Sequence, residues 1–271
     1  MTSSVDGRGT FGGLLAAVTL RRTAGPIRLA GAPLAAYRFV PSLRTTTIER
    51  AVTHPAPSAN HAARRVGTVE HLFAAFGGLG IHAGVAIEVE GDELPFVDGA
   101  ALRWCKALAE LGVPGSPPRC KVAREGEIFV GTSKYHFVPS PGTTVAITLE
   151  LDHPTLERRA EWHGDPHDFM ERIAPARTFL FAHEMAKLAD LGMMAHVDAA
   201  SVVIVGEHQL HAAGPAAARD EPARHKLLDL VGDAFLYGGP PAGRIDAFRP
   251  GHAANHEAMI RARAMGIVVD G

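Results

Sequence analysis

A proline-rich segment near the middle of the sequence constrains the fold more than any other feature. Residues Val113–Arg119 contain three prolines and one glycine, and Gly112 precedes them. Such a composition is typical of a linker or a domain boundary, because proline removes a backbone donor and fixes φ. With 271 residues, the chain is long enough for one large domain or two small ones. We therefore predict two domains, residues 1–115 and residues 120–271.

Strand and helix patterns follow one another in a similar order on both sides of this segment. The first half predicts strands at Leu14–Arg21, Arg44–Val52 and Ala83–Val89, and helices at Val69–Phe76, with Thr68 as N-cap, and Gly99–Leu111. The second half predicts strands at Lys121–Val130, His136–Pro139, Thr143–Leu151 and Ser201–Val205, and helices at Asp168–Ile173, Ala182–Leu191 and Pro222–Leu236. The expected fold class is α+β: two similar domains, each packing a sheet against helices, with a functional site at their interface.

Composition limits the ligands and the compartment that this chain suits. Lys and Arg number 27 against 29 Asp and Glu, a formal net charge of −2 that argues against a nucleic-acid partner. The 15 His stand against only 2 Cys, which excludes disulfide scaffolds and Cys-rich zinc modules. Because no signal peptide and no apolar run of about 18 residues is present, we expect a cytoplasmic protein without an integral membrane segment. Any metal must be held by His and carboxylates.

One predicted helix carries candidate metal ligands. His225, Asp229 and Asp233 recur at i, i+4 and i+8 and therefore share one stripe of the helix. A His and an Asp at this spacing can reach the same metal ion. A hydrogen-bonded pair on a solvated face fits the spacing too, but the apolar opposite stripe indicates a buried helix, in which charges need partners.

A second segment places a carboxylate beside an imidazole at the start of a predicted helix. Glu70 and His71 diverge by about 100°, so they serve one reaction only if they line a concave site. The alternative is structural, with Glu70 stabilising the helix dipole and His71 at the surface. Combined with His225 and Asp229, His71 completes a set of two nitrogens and one oxygen, which leaves a fourth zinc position open for water. Glu70 is then a candidate general base.

His252 follows a Pro-Gly turn and is expected at a loop edge, free to face a pocket. It also belongs to one of five different short motifs that are spread along the chain. These are Thr68-Val69-Glu70-His71-Leu72 with Gly78-Leu79-Gly80-Ile81, Leu94-Pro95-Phe96-Val97-Asp98-Gly99-Ala100-Ala101, Ala176-Arg177-Thr178-Phe179, His225-Lys226-Leu227-Leu228-Asp229-Leu230-Val231-Gly232-Asp233, and Gly251-His252-Ala253-Ala254-Asn255. In order and spacing, the set resembles the UDP-3-O-acyl-N-acetylglucosamine deacetylase (LpxC) family of lipid A biosynthesis, over residues Gly7 to Ile260.

This resemblance implies an amide hydrolase that removes the N-acetyl group from a UDP-linked, 3-O-acylated amino sugar with the help of Zn²⁺. It implies His71, His225 and Asp229 as metal ligands and Glu70 as general base. The remaining implied catalytic residues are His252 as general acid or cationic stabiliser, Asp233, which orients His252, and Thr178, which stabilises the oxyanion.

The resemblance also implies three substrate-binding residues. Phe179 would line the substrate site, and Lys226 and Arg249 would contact substrate oxygens or the diphosphate. A solvated surface lysine is the alternative for Lys226.

The sequence departs from the family pattern at three places. Phe11 stands at the His position of the family's Gly-x-Gly-x-His segment, and no first strand is evident before it. Residues Met194–Asp198, including His196 and Val197, replace a Gly-Gly-Ser stretch near the acyl-chain passage, and Ala100 replaces a Ser. These departures predict a narrowed or rerouted acyl channel and leave the metal chemistry intact.

Two further functions therefore stay open. One is a paralogous zinc amidase that deacetylates another N-acetylated sugar or a small amide. The other is a non-catalytic binding protein that retains the fold. We expect a monomer; the acyl-chain length, the need for an acyl chain and the authentic N-terminus are open at this point.

Overall fold

The computed structural model describes residues 1–11, 13–51, 65–150, 153–190 and 196–271. The strands are β1 (Thr2–Arg8), β2 (Leu15–Pro26), β3 (Arg28–Leu29), β4 (Ala32–Pro33), β5 (Tyr37–Val40), β6 (Thr47–Arg50), β7 (Arg65–Val66), β8 (Ala83–Glu90), β9 (Cys120–Val122), β10 (Gly126–Val130), β11 (Ser133–Val138), β12 (Thr143–Thr148), β13 (Arg159–Trp162), β14 (Thr178–Phe181), β15 (Val202–Val205), β16 (Leu210–Ala212), β17 (Gly243–Phe248) and β18 (Val268–Asp270). The helices are α1 (Glu70–Gly78), α2 (Leu102–Glu110), α3 (Pro166–Asp168), α4 (Met185–Asp190), α5 (Glu221–Phe235) and α6 (His252–Ala264). Within these ranges, no helix combines the length and apolar character that crossing a bilayer requires.

Two five-stranded sheets have the same sequence of strand directions. The first, before the proline-rich segment, has the order β1-β2-β8-β3-β4, and the second, after it, has the order β10-β11-β17-β12-β13. In each sheet the third and fourth strands are parallel and all other neighbours are antiparallel. The smaller sheets are β5-β6-β7, β14-β15-β16 and β9-β18. The predicted mixture of helices and sheets is confirmed, whereas the division into two domains stays a prediction.

Helices α1 and α5 pack against each other at the centre of the molecule. One apolar cluster of described residues runs from β1 to β18 and includes buried side chains of both helices. Phe76 of α1 stacks on Phe235 of α5 with ring centroids 5.4 Å apart. At Gly232 the helices approach so closely that a Cβ there would lie 2.1 Å from the carbonyl oxygen of Glu70. This approach brings the polar stripe of α5 beside the first turn of α1.

The prediction that the chain lacks a first strand is wrong. Residues Thr2–Arg8 form β1, which pairs antiparallel with β2 from Thr2 opposite Arg21 to Arg8 opposite Leu15. The segment contains few β-branched apolar residues, so its own sequence gives a weak strand signal. The backbone hydrogen bonds of β2 and the burial of Val5 supply what local propensity does not.

Several predicted boundaries are also corrected. Thr68 does not cap α1: its φ is +55°, Val69 occupies the cap position, and the Thr68 hydroxyl donates to Glu93 instead. The strand predicted at Lys121–Val130 is two strands, β9 and β10, and strand β17 and helix α6 were not predicted. The predicted ends Val52, Leu151 and Leu191 lie outside the described residues.

Candidate active site

Three helices bring the predicted metal and acid–base residues together. The first turn of α1, the middle of α5 and the first residue of α6 meet at one cavity. The residues that line the cavity there are Glu70, His71, His225, Asp229 and His252, and Asp233 contacts His252 from outside this lining. The expectation of His252 at a loop edge is therefore wrong, because the Pro-Gly turn ends one residue earlier and His252 begins α6.

His71, His225 and Asp229 form a cluster with metal-site dimensions. One donor atom from each lies within 4.8 Å of the others. His225 directs Nδ1 to the carbonyl of Ala176 at 3.0 Å, so its Nε2 faces Asp229 Oδ1 at 3.5 Å, and His71 Nε2 lies 4.0 Å from the same oxygen. Among the described residues, Asp229 Oδ1 is one of two buried side-chain polar atoms without a hydrogen-bond partner. A buried carboxylate oxygen without a hydrogen-bond partner, between two imidazoles, fits a bound cation as its partner.

The protonation states of these three side chains suit a metal. Burial, reinforced by the neighbouring His225, lowers the pKa of His71 to about 3, and burial also lowers the pKa of His225. Burial by itself would raise the pKa of Asp229, but His225 and Lys226 outweigh it and hold that pKa below its ordinary range. Neutral imidazoles and an ionised carboxylate are the forms that bind Zn²⁺, so the residues present fit this ion.

Glu70 is a buried carboxylate held on both oxygens. Its Oε1 accepts from the Thr45 hydroxyl at 2.8 Å and its Oε2 accepts from the Thr46 backbone N–H at 2.9 Å. Burial raises the pKa of Glu70 to about 7, and the opposing positive charge of His252 limits the rise. A carboxylate with this pKa can accept a proton near neutral pH and release it again.

His252 and Asp233 form a hydrogen-bonded pair at the other side of the cavity. His252 Nδ1 lies 3.0 Å from Asp233 Oδ2, and its Nε2 lies 3.8 Å from Asp229 Oδ2. Burial would lower the pKa of His252, but the carboxylates of Asp233 and Asp229 outweigh it and raise the pKa to about 9. His252 is therefore an imidazolium near neutral pH, with Nε2 directed toward Asp229 and Nδ1 hydrogen-bonded to Asp233.

The cavity holds about 500 Å³. Its polar lining includes Glu70, His71, His225 and Asp229, called the polar end below, and Thr178 and Phe179 from the start of β14 also line it. Lys226 donates from Nζ to Asp229 Oδ2 at 2.6 Å and lies 5.7 Å from the centroid of the Phe179 ring. Four further apolar side chains that line the cavity belong to one apolar cluster, called the apolar end below: Phe11, Phe96, Leu180 and Leu188.

Arg249 is the predicted site residue that the structure places apart. It pairs with Glu150 at the end of β17 and does not belong to the described lining of the cavity. It lies between β17 and α6, and its φ is +54°.

Two of the departures from the family pattern meet on one apolar cluster, part of which lines the cavity. Phe11 and Val197 pack on the apolar cluster of Phe96, Leu180, Leu188 and Val202. The His196 ring covers Gly13 so closely that a Cβ on this glycine would lie 1.9 Å from His196 Cδ2. Met194 and Ala195, which belong to the same stretch, lie outside the described residues. Ala100 is buried, and its N–H donates to Asp98.

Sequence reasoning missed the polar residues behind Glu70 and Asp233. Thr45 and Thr46 were assigned to a strand, but they precede β6 and turn their donors toward the two carboxylates. His256 and Asn255 contact Asp233 from α6. The signal that could have found His256 is its i+4 spacing from His252 once a helix is assumed.

Comparison with known proteins gives a consistent result over most of the chain. A family model described as UDP-3-O-acyl N-acetylglycosamine deacetylase matches residues 27–262. The UDP-3-O-acyl-N-acetylglucosamine deacetylase of Myxococcus xanthus is 30% identical over 264 residues, 95% of this chain and 82% of that relative. The proteins of the same name from Brucella ovis and Nitratiruptor sp. are 33% and 31% identical, over 72% of this chain and 70% and 67% of their own lengths.

Proposed function

This chain belongs to the UDP-3-O-acyl-N-acetylglucosamine deacetylase family, and we propose that it is a zinc-dependent hydrolase that removes the N-acetyl group from UDP-3-O-acyl-N-acetylglucosamine in lipid A biosynthesis. The observation that carries the proposal is the unpaired Asp229 Oδ1, buried between two imidazoles and beside Glu70. If His225 and Asp229 formed only a structural pair, we would expect both Asp229 oxygens to have hydrogen-bond partners.

His71, His225 and Asp229 would hold the zinc ion. When bound, zinc supplies Lewis-acid activation of water and of the amide carbonyl. The backbone carbonyl of Ala176 fixes the His225 ring, because it accepts from Nδ1 and so leaves Nε2 as the donor atom toward the metal.

Glu70 and His252 divide the proton transfers between them. Glu70 accepts a proton from water as the water oxygen adds to the amide carbon. The C–N bond then breaks as the amide nitrogen takes a proton, which His252 provides from Nε2, and the products are acetate and the amine. Asp233 holds His252 through Nδ1, and Thr178 donates to the developing oxyanion.

The two ends of the cavity suit the two parts of the substrate. The apolar end formed by Phe11, Phe96 and Leu180 would take the 3-O-acyl chain, and Phe179 would pack against the sugar. Lys226 would contact substrate oxygens or the diphosphate at the polar end. Arg249, which lies apart and paired with Glu150, would reach the diphosphate only by exchanging that partner.

A second candidate follows from the wall that Phe11 and Val197 form. Their packing on Leu180 and Leu188 puts bulk at the apolar end, where a long chain would pass. A paralogous zinc amidase that deacetylates a different N-acetylated sugar or a small amide would keep the polar end and lose the chain requirement. A binding protein without turnover is disfavoured, because every proton-transfer position is filled.

Acetate release from UDP-N-acetylglucosamine with and without a 3-O-acyl chain distinguishes these functions. We expect about one zinc per chain, turnover that depends on the acyl chain, and loss of zinc in His225→Ala. Glu70→Ala should abolish turnover while zinc stays bound. Equal turnover of both substrates would support the amidase, and turnover that survives Glu70→Ala would contradict the assigned base.

A further inference from the structure

Asp233 is a fully buried carboxylate that contacts two imidazoles rather than one. His252 lies 3.0 Å from its Oδ2, and His256 Nε2 lies 3.3 Å from its Oδ1. The Thr46 hydroxyl lies 2.5 Å from Oδ1, and the Asn255 amide donates to Oδ2 at 2.7 Å. Four groups therefore surround the carboxylate: Thr46 and His256 contact Oδ1, Asn255 contacts Oδ2, and His252 contacts both, because its Nδ1 also lies 3.2 Å from Oδ1.

Counting protons assigns the role of each group. Because a carboxylate only accepts, the single hydroxyl proton of Thr46 goes to Asp233, and the Thr46 oxygen must accept from its other neighbours. His256 Nε2 lies 3.1 Å from that oxygen and 3.3 Å from Asp233 Oδ1. The Thr46 oxygen and Asp233 Oδ1 both act as acceptors toward His256 Nε2, so Nε2 carries a proton.

The opposite side of the His256 ring follows from this assignment. Its Nδ1 lies 3.0 Å from the hydroxyl of Tyr237, which follows α5. In a neutral ring with its proton on Nε2, Nδ1 accepts from that hydroxyl. The ring stacks on Phe39 of β5, with centroids 3.9 Å apart and planes inclined by 15°. His256 has no exposed surface, so neither water nor substrate reaches it. Its position and tautomer are set from three elements.

We propose that His256 is a positioning residue: by donating from Nε2 to Asp233 Oδ1 and Thr46, it fixes the carboxylate that aims His252 into the cavity. The inference rests on the proposed function, in which His252 provides the proton to the leaving nitrogen. Without His256, Oδ1 keeps only Thr46 and the longer contact with His252 itself. The carboxylate can then rotate, which would change the direction of His252 Nε2 while leaving His71, His225 and Asp229 in place.

The test compares His256→Leu with His256→Gln, whose amide offers an N–H donor at a similar reach. We expect kcat of the Leu variant to fall about 10- to 100-fold, as is typical when an outer hydrogen-bond partner is removed, with KM and zinc content unchanged. The Gln variant should recover most of that loss. Tyr237→Phe, which retains the ring but not the donor, should lower kcat to an intermediate extent, and Glu257→Gln on the same helix should leave kcat unchanged.

A second readout does not depend on activity. In long-range ¹H–¹⁵N spectra of the metal-free, histidine-labelled protein, the imidazole that disappears in His256→Gln should show protonation at Nε2 and not at Nδ1. The opposite tautomer, wild-type kcat in His256→Leu, or equal losses in the Leu and Gln variants would each overturn the proposal. If the Leu variant fails to fold, Tyr237→Phe and the spectrum decide. If the wild-type protein shows no deacetylation, the proposed function fails while the tautomer is still measured.

Discussion

Glu70 and His252 lie in the same cavity, and both have a raised pKa, but for different reasons. Burial raises the pKa of Glu70 to about 7 because it disfavours the charged carboxylate. For His252, burial acts in the opposite direction, and the two carboxylates of Asp233 and Asp229 outweigh it to give a pKa of about 9. Near neutral pH, one side chain can therefore accept a proton while the other still carries one.

The first prediction is a bell-shaped dependence of kcat/KM on pH. Activity needs Glu70 deprotonated, so it should rise as pH increases through the pKa of Glu70. A bound zinc ion adds positive charge nearby, which lowers this pKa and moves the acidic limb below pH 7. Activity also needs His252 protonated, so it should fall as pH increases through the pKa of His252, which is about 9 without the metal and lower once zinc neutralises Asp229. Steady-state rates measured from about pH 5 to about pH 10, in steps of about one pH unit, follow both limbs.

The His252→Gln variant tests the assignment of the alkaline limb. It removes the titrating imidazole but retains an N–H donor at the same place. We expect a lower rate that no longer falls on the alkaline side of the profile. An alkaline limb that persists unchanged in this variant would assign it to another group.

At the scale of elements, the site depends on how closely α1 and α5 approach. His71 comes from α1, whereas His225 and Asp229 come from α5, so these three side chains meet only if the two helices are in register. Gly232 permits the approach, since a Cβ there would meet the Glu70 carbonyl at 2.1 Å and the Ala74 N–H nitrogen at 3.0 Å. Backbone atoms cannot move aside as a flexible side chain can.

The second prediction is that Gly232→Ala weakens both stability and metal binding. In a free helix, alanine would be favoured over glycine by about 1 kcal/mol. Any loss of stability in this variant would therefore come from the contact between the two helices. We expect unfolding in urea to show a net loss of about 1–3 kcal/mol from overpacking, and chelator competition to show weaker zinc binding.

Gly142→Ala is the matched control for this substitution. A Cβ on Gly142 meets nothing within 4 Å. We expect a change in the free energy of unfolding within about 0.5 kcal/mol and unaltered zinc binding. If the two variants were equally stable and bound zinc equally well, the close approach of the helices would not govern the site.

The elements themselves differed in how well the sequence predicted them. Helix α5 was predicted to within one residue at each end, because its polar and apolar stripes repeat at helical spacing over four turns. Strand β17 was missed, although Ile245 and Ala247 alternate with the charged Arg244 and Asp246. Those charges pair with each other and with Glu161 on the outer face of the sheet, so a polar segment becomes a central strand.

At the scale of the whole molecule, a buried ion pair joins the small sheet β14-β15-β16 to α5. Arg177 immediately precedes β14 and donates to both oxygens of Glu221, the first residue of α5. The same guanidinium donates to the carbonyls of Ala200 and Pro215. Thr178 and Phe179 follow directly, so this pair sets where β14 enters the cavity wall.

The third prediction is that Glu221→Gln destabilises the fold near neutral pH. It leaves a buried guanidinium without its counter-charge, for which we expect a loss of about 3 kcal/mol in the free energy of unfolding. Burial would raise the pKa of Glu221, but the hydrogen bonds and charge of Arg177 outweigh burial and lower this pKa. The pair therefore stabilises the fold above the unfolded-state pKa of about 4.3, and this contribution is lost as pH falls through the lower folded-state value.

Urea unfolding of both proteins between neutral and acidic pH measures this difference. It should be largest near neutral pH and shrink on acidification. Glu257→Gln breaks the half-exposed Arg261–Glu257 pair and serves as control, with an expected change below about 1 kcal/mol. A loss in Glu221→Gln no greater than in this control would contradict the structural role of the pair.

The sequence by itself determined the donor chemistry and most of the helical framework. Nitrogen and oxygen ligands followed from many His and few Cys, and the shared stripe of His225, Asp229 and Asp233 followed from the helical period. These features depend on residue type and on neighbours within a few positions, which a sequence states directly. The parallel order of elements on both sides of Val113–Arg119 was visible for the same reason.

Only the tertiary structure decided how groups distant in the chain meet. Thr46, Asp233 and His256 come from separate parts of the sequence, and no local pattern places one hydroxyl between two imidazoles and a carboxylate. The weak strand β1 and the separation of Arg249 from the cavity were likewise set by long-range partners, β2 and Glu150. Hydrogen bonds across such distances depend on packing, because burial makes an unpaired polar group costly and so selects the arrangement that satisfies it.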